Sequence, residues 1–361
     1  MSLQMRGIDA GIDIRGLYKI FGAGAQQYVE AVRSGTTKAE LMDKHGAILG
    51  LKDISIAMPA GGIQVIMGLS GSGKSTLIRH INRLIEPTVG EVLIGGTDVT
   101  KMNPMDLREF RRHQTAMVFQ KFALLPHRTV LANVGYGLEV QGLAPEIIKD
   151  RAMRWIERVG LKGFEGRYPN QLSGGMQQRV GLARALTNDA PILLMDEAFS
   201  ALDPLIRVDM QGVLLDLQKE LKKTVVFITH DLDEALRLGD RIAILRDGAV
   251  IQQGTGQDIV LRPADYYIFD FVRDVNRGRV IKVESVMNPL IDEDDLPQNQ
   301  LSEGSTLDAA MKMMSDADCN MITICNASGK PTGIVDMNAA VRATVNPATV
   351  PTDRIPTATA A

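Results

Sequence analysis

The chain has few residues of several types that mark particular protein classes. Two of its 361 residues are cysteine, and aromatic residues make up 4%. So few cysteines exclude a disulfide scaffold and a cysteine-rich metal site, and they are typical of a reducing compartment. The scarcity of aromatic rings argues against a protein that stacks many bases or sugars.

Long apolar runs and a strong net charge are also lacking. No stretch of about 18 apolar residues occurs, so the sequence predicts no membrane-spanning helix. Residues 1–16 contain no apolar segment of signal-peptide length, and we therefore expect a cytoplasmic protein. Forty basic and 43 acidic residues give a net charge of −3, which does not favour binding to nucleic acid.

This modest charge is unevenly distributed along the chain. Residues 282–361 contain five basic and eleven acidic residues, including the run Asp292–Asp295, so this segment carries −6 and the preceding part +3. Such a shift in composition predicts a domain boundary. We expect a first domain over residues 1–281, a second over residues 282–343 and a disordered tail over residues 344–361.

Within the first domain, short apolar runs alternate with segments of helical length. The runs are Ile63–Met67, Ile192–Met195 and Val225–Ile228. Their spacing predicts buried parallel strands of an α/β fold. Residues 23–46 interrupt this pattern with a helical segment, in which Thr37–Glu40 matches a capping box. We expect a surface insertion without chemistry of its own, or alternatively a docking site.

The strongest motif directly follows the first of these strands. Residues 68–76, GLSGSGKST, fit the pattern G-x-x-x-x-G-K-[ST] between a strand and an amphipathic segment. Glycines let successive backbone N–H groups point at phosphate oxygens, while Lys74 reaches the β- and γ-phosphates and the Ser75 hydroxyl can bind Mg²⁺. The predicted nucleotide-binding residues here are Gly68, Ser70, Gly71, Ser72, Gly73, Lys74, Ser75 and Thr76.

Two acidic residues stand at the end of the second apolar run. Asp196 is placed to hold Mg²⁺, directly or through water, and Glu197 to activate the attacking water as a general base. A second anion-binding helix start is predicted at Ser173, Gly174 and Gly175. One nucleotide does not need two such sites in one chain, so this segment indicates two copies paired head to tail.

Together these motifs resemble the nucleotide-binding subunit of ABC transporters, and residues 172–179 are similar to the signature motif of that family. The resemblance implies a role for Gln120 in sensing Mg²⁺ and the membrane partner. It also implies that Asp203 lies in a loop crossing the dimer interface and that His230 contacts the γ-phosphate. Phe21 is implied to stack on adenine, with Tyr18 as the alternative.

The resemblance spans about residues 12–275 and implies a P-loop ATPase cassette with a RecA-like core, a helical subdomain and an antiparallel β subdomain. Residues 122–130 and 195–204 are similar to importer ATPases, and residues 23–46 and 85–87 to the glycine betaine/proline branch. The resemblance implies that the protein binds ATP and Mg²⁺ and forms a homodimer. It also implies integral-membrane permease subunits as partners and, indirectly, a solute-binding protein. Such a subunit lies at the inner face of the cell membrane, in the cytoplasm, and binds no nucleic acid.

The acidic C-terminal segment resembles one cystathionine-β-synthase-type (CBS) repeat, in which residues 286–289, 305–311, 321–324 and 333–335 carry the pattern. The resemblance implies a small α+β domain. Asp336 and Ala339 depart from the pattern that binds adenine nucleotides. The carboxylate of Asp336 would repel a phosphate group. A structural or dimerising role and a regulatory role both stay open.

The solute is implied to be an osmoprotectant such as glycine betaine, proline, choline or a related methylamine. Alternatives are an importer ATPase for another small solute and an ABC ATPase that takes no part in transport. ATPases of the latter kind carry two cassettes or a long heptad arm, whereas this sequence has one cassette and no sustained heptads.

Overall fold

The computed structural model describes residues 10–120, 123–290 and 296–345, and the chain divides into two compact units, residues 1–251 and 252–361. The acidic run Asp292–Asp295, residues 1–9 and the expected tail from residue 346 onward lie outside the described residues. The assignment of residues 282–343 to a domain of their own stays a prediction.

The first unit contains two β-sheets and nine described helices. Its strands are β1 (Ile12–Phe21), β2 (Ile48–Met58), β3 (Ile63–Met67), β4 (Val89–Ile94), β5 (Thr97–Asp98), β6 (Thr115–Val118), β7 (Ile192–Asp196), β8 (Thr224–Thr229), β9 (Arg241–Arg246) and β10, whose range Ala249–Gly254 contains the division point. Its helices are α1 (Val29–Arg33), α2 (Lys38–His45), α3 (Lys74–Ile81), α4 (Pro104–His113), α5 (Val130–Val140), α6 (Pro145–Arg158), α7 (Gly174–Thr187), α8 (Pro204–Leu221) and α9 (Leu232–Leu238).

The larger sheet has the order β10-β9-β3-β8-β7-β6, and the pairs β9–β3, β3–β8, β8–β7 and β7–β6 are parallel. Every residue of β3, β7 and β8 is buried, which explains their continuous apolar runs. The three predicted strands are thereby confirmed. Because parallel strands end at one edge, the segments after β3, β6, β7 and β8 meet there.

The smaller sheet is antiparallel, with the order β2-β1-β4-β5, and it matches the expected β subdomain. Helices α5, α6 and α7 form the expected helical subdomain around Val134, Ala152, Ile156 and Val180, which are all buried. Amphipathic helices bury such apolar faces against one another, which stabilises the subdomain.

Helix starts differ slightly from the sequence prediction. Helix α3 was expected from residue 76 but begins at Lys74, because Gly73 takes the left-handed conformation (φ 103°) that admits the first turn there. Helix α7 was expected from residue 176 but begins at Gly174, where the Ser173 hydroxyl accepts a hydrogen bond from Met176 N.

The predicted helical insertion at residues 23–46 is present as a 3₁₀ turn, α1 and α2. The capping box is confirmed, because the Thr37 side chain accepts from Glu40 N while Glu40 accepts from Thr37 N. Val29, Val32 and Leu41 are buried in a small core shared with the β subdomain. The insertion is therefore packed onto the sheet.

The second unit contains α10 (Gly256–Leu261), α11 (Tyr266–Val272), α12 (Arg277–Val280), β11 (Asn288–Pro289), β12 (Gln300–Ser302), α13 (Leu307–Asp316), β13 (Met321–Cys325), β14 (Pro331–Asp336) and α14 (Met337–Thr344). Its sheet has the order β11-β14-β13-β12. The Asp336 carboxylate caps α14 by accepting from Ala339 N at 2.8 Å. Cys325 is buried and Cys319 half-buried, and both are free thiols.

Candidate nucleotide site

The glycine-rich segment forms a tight loop between β3 and α3. A side chain at Gly68 would bring its Cβ to 2.3 Å from the Leu245 carbonyl oxygen, and one at Gly73 to 2.7 Å from the Gly50 carbonyl oxygen. Only glycine therefore fits at both positions. The Ser72 hydroxyl is buried and has no hydrogen-bond partner within the described residues, so it is available to a ligand in the loop.

Lys74 lies buried inside this loop. Its Nζ donates to the carbonyl oxygens of Gly68 (2.8 Å) and Leu69 (3.0 Å) and stands 3.6 Å from Glu197 Oε1. Burial lowers the pKa of Lys74, while the carboxylates of Glu197 and Asp196 oppose that shift. The ammonium group is thus held at the centre of the predicted phosphate site.

Asp196 closes strand β7 and is buried. Its Oδ1 accepts from the Ser75 hydroxyl at 2.7 Å, and its Oδ2 lies 3.3 Å from Arg79 Nη2. The structure therefore joins the two residues that were predicted to bind Mg²⁺. A hydroxyl and a carboxylate are oxygen ligands of the kind that Mg²⁺ prefers. Arg79 was missed by the sequence analysis, although its spacing of four from Ser75 places both on one face of α3.

The Glu197 carboxylate is contacted by side chains that follow two other strands. Gln120 Nε2, after β6, donates to Glu197 Oε2 at 3.0 Å, and His230 Nδ1, after β8, lies 3.8 Å from the same oxygen. The Glu197 backbone has a φ of 46°, and its carbonyl accepts from both the N–H and the hydroxyl of Ser200. Four segments of the parallel sheet thus meet around one carboxylate.

Ser173 and Asp203 occupy similar positions at two other helix starts. Asp203 caps α8 by accepting from Ile206 N, as Ser173 caps α7. A Cβ at Gly175 would lie 2.7 Å from Ile206, so the two helix starts are neighbours. Within the described part of the chain, no hydrogen bond or ion pair connects Ser173 or Asp203 to the phosphate loop.

The two aromatic candidates for adenine differ in exposure. Tyr18 is 5% exposed, with the Arg33 guanidinium 5.4 Å from its ring centre. Phe21 is 37% exposed, and Lys19 Nζ lies 4.9 Å from its ring centre. Phe21 is the ring that a ligand can reach, which favours it over Tyr18.

Comparisons with known proteins agree with this arrangement. The ABC transporter family matches residues 51–200. The glycine betaine transport ATP-binding protein OpuAA of Bacillus subtilis is 53% identical over 276 residues, which are 76% of this chain and 66% of that protein. The glycine betaine/proline betaine transport ATP-binding protein ProV of Escherichia coli is 46% identical over 332 residues, covering 91% of this chain and 81% of that protein. The chain belongs to the ATP-binding subunits of ABC transporters.

Solved structures support the same assignment. The dimeric bacterial ABC transporter cassette MJ0796 aligns with a TM-score of 0.59 and 34% identity, over 68% of this chain and 98% of that one. The expected cassette fold is confirmed, and the chain is an ABC-type ATPase coupled to transport. These comparisons do not identify the CBS-like repeat, which stays a prediction.

The described residues contain neither a membrane-spanning helix nor a cluster of metal-ligating side chains. No helix there combines the length and hydropathy needed to cross a bilayer. No group of three or more His, Cys, Asp or Glu side chains is clustered there as a metal site would require.

Proposed function

We propose that the chain hydrolyses ATP at this sheet edge and so drives a partner permease. The convergence of Lys74, Gln120 and His230 on Glu197 carries the proposal, because a carboxylate held by groups from three other segments is oriented before the substrate arrives. The roles expected of Lys74, Gln120, Glu197 and His230 all require this convergence.

Mg²⁺ fits the residues present. Ser75 and Asp196 would hold it, with Gln120 as a further oxygen ligand. When bound, the ion neutralises charge on the β- and γ-phosphates. Lys74 and the N–H groups of residues 70–76 would bind the phosphate oxygens, while Phe21 would stack on the adenine ring.

Glu197 has the position of a general base. In the proposed step a water oxygen bonds to the γ-phosphorus, the bond to the ADP oxygen breaks, and Glu197 accepts the proton of the water. Gln120 and His230 orient the water and the γ-phosphate. The effect of these groups is positioning and charge stabilisation, which are the main contributions to catalysis of phosphoryl transfer.

A second copy would complete the site. Ser173, Gly174 and Asp203 are exposed at the starts of two adjacent helices. Within the described residues, no hydrogen bond or ion pair connects Ser173 or Asp203 to the phosphate loop of their own chain. We infer a head-to-tail homodimer in which the Ser173–Gly175 segment of each copy contacts the γ-phosphate of the other. The MJ0796 cassette, also solved as a dimer bound to ADP and Pi, provides a precedent.

The similar proteins suggest which solute is imported. Their names include glycine betaine, proline betaine and carnitine transport, and trimethylamine N-oxide transport at 46% identity. We propose an osmoprotectant: glycine betaine, proline, choline or a related methylamine. The subunit would lie at the inner membrane face, held by permease subunits that receive solute from a binding protein.

The proposed base is tested by Glu197→Gln in the purified full-length chain. We expect turnover to fall roughly a hundredfold or more while ATP is still bound, because the amide keeps the shape but cannot accept the proton. Steady-state ATP hydrolysis and ATP-dependent dimerisation are measured together. Glu146→Gln, an exposed residue of α6, is the matched control. Undiminished hydrolysis in Glu197→Gln would refute the assignment.

A further inference from the structure

A cavity of about 710 Å³ lies between the helical insertion and the edge of the β subdomain. Its walls come from the insertion, from β2 and from the β9–β10 hairpin. The lining residues are Thr36, Thr37, Lys38, Ala39, Met42, Ile48, Leu49, Lys52, Arg246, Asp247, Ala249 and Ile251. The volume is within the range of about 300–1,000 Å³ that is usual for small-molecule sites. The proposed roles of the cassette residues do not use this cavity.

One wall of the cavity is hydrogen-bonded to the phosphate loop, and a second approaches the loop closely. Gly248, in the turn after β9, donates from its N–H to the Ser72 carbonyl at 3.1 Å and accepts from Lys52 N at 2.7 Å. Gly73 packs against the Gly50 carbonyl of β2. The cavity therefore adjoins the loop that is predicted to hold the phosphates.

The insertion contributes a cation at this point. Lys38 Nζ lies 3.4 Å from the carbonyl oxygen of Gly71 in the phosphate loop. The capping box of Thr37 and Glu40 fixes the first turn of α2, and buried Leu41 anchors that helix in its small core. The packing of α2 thus positions Lys38 against Gly71, a loop residue 33 positions further along the chain.

The remaining lining combines basic and apolar groups. Lys52 and Arg246 add two further cations against the single carboxylate of Asp247, so the cavity has an excess of positive charge. Met42 and Ile48, each 45% exposed, contribute apolar surface. A molecule with a flat, weakly polar end and an anionic end complements this lining.

The cavity also adjoins the proposed adenine ring stack. Phe21 pairs directly with Ile48 across the antiparallel β1–β2 ladder. Directly paired residues project from the same face of a sheet, about 5 Å apart. Ile48, which lines the cavity, therefore lies beside the ring that is proposed to stack on adenine.

We propose that the insertion is part of the nucleotide site: Lys38 binds a phosphate of the nucleotide, and Met42 with Ile48 covers its adenosine end. This inference rests on the proposed ATPase function of the same site. It replaces the expectation that the insertion has no chemistry. Lys38 is then a binding residue, which affects affinity for nucleotide more than the rate of hydrolysis.

The test compares Lys38→Gln with Lys44→Gln in the full-length chain. Lys44 is on the same helix, is exposed, and does not line the cavity. We expect Lys38→Gln to raise the Kd for the non-hydrolysable analogue AMP-PNP and the KM for ATP about fivefold, with kcat within twofold. Lys38→Arg should restore most of the affinity, and Lys44→Gln should change neither constant.

Salt separates a phosphate contact from a packing role. The affinity loss in Lys38→Gln should shrink as ionic strength rises, because salt screens an exposed charge pair; a loss independent of salt would overturn the proposal. Unchanged affinity in Lys38→Gln would also overturn it. If Lys74→Ala still abolished ATP binding in that case, the proposed ATPase function would stand without a contribution from the insertion.

Discussion

The nucleotide site and the C-terminal unit use the same polar residue types in different ways. At the site, Asp196 and Glu197 bond to side chains 121 and 77 positions away, one in helix α3 and one in the turn after β6. In the C-terminal unit, Thr306 and Asp336 bond to backbone N–H groups three residues ahead of them. The distant contacts bring charged groups together away from water, which costs desolvation energy. The local contacts cap the start of a helix and bury no charge pair.

This difference indicates where ligand binding is concentrated. Partly buried charges that gather from distant segments cost desolvation energy, and a fold retains them where a ligand uses them. The caps at Thr306 and Asp336 bond within their own helix and contribute stability. The comparison assigns chemistry to the first unit, and the following variants test it from the largest expected effect to the smallest.

Lys74→Ala should produce the largest change. Loss of the buried ammonium removes charged hydrogen bonds to phosphate, so we expect ATP affinity to fall roughly a hundredfold, or about 3 kcal/mol. Calorimetric titration with ATP measures it. Lys330→Ala, at an exposed turn of the C-terminal unit, is the matched control and should leave affinity unchanged. Equal affinities in both variants would remove the distinction between the two regions.

Lowering the pH should reduce the free energy of unfolding of the first unit, because His80 is buried in its neutral form. Burial lowers the pKa of this side chain from 6.5 to about 4. Between those values the unfolded chain binds the proton and the folded chain does not, so stability is complete above about pH 6.5 and is lost as pH falls. From pH 7 to pH 5 the expected loss from His80 is about 2 kcal/mol.

Urea unfolding followed by the fluorescence of Trp155, in the helical subdomain, measures this loss. His80→Gln should reduce the slope of unfolding free energy between pH 4 and 6.5. The C-terminal unit contains no histidine, so hydrogen exchange over that unit provides a reference without this contribution. An unchanged slope in His80→Gln would show that His80 does not cause the acid sensitivity.

Asp336→Ala should have the smallest effect and the most local one. Loss of the cap of α14 should cost about 1 kcal/mol, seen as faster hydrogen exchange over residues 337–344. Asp336→Asn keeps an oxygen acceptor and should retain most of the protection. ATP hydrolysis should be unchanged in both variants. A fall in hydrolysis with intact protection would assign Asp336 a role beyond its cap.

Much of the site was predictable because its signals are local in sequence. The glycine-rich loop, and the acidic pair Asp196 and Glu197 after an apolar run, each lie within a few residues of the strand that positions them. The parallel arrangement then brings the strand ends together. The roles given to Gln120 and His230 came from the family resemblance, and no local pattern marks either residue.

Other parts depend on packing that no short pattern encodes. Strand β1 changes register with β2 at three points between Ile14 and Ile20. The simple alternation of exposed and buried residues is therefore broken, and the sequence could not decide between Tyr18 and Phe21. The contact between Lys38 and Gly71 depends on how the insertion packs against the sheet, and the capping box alone did not indicate it.

The left-handed backbone of Glu197 sets stability against activity at one residue. A non-glycine residue in this conformation costs about 1 kcal/mol or more, which a glycine would not. Substitution by glycine would relieve this strain, but it would also remove the carboxylate that faces buried Lys74 and accepts a hydrogen bond from Gln120. The strained backbone therefore lies at the residue where the segments of the site meet, and the contacts that hold the proposed base also hold the strain in place.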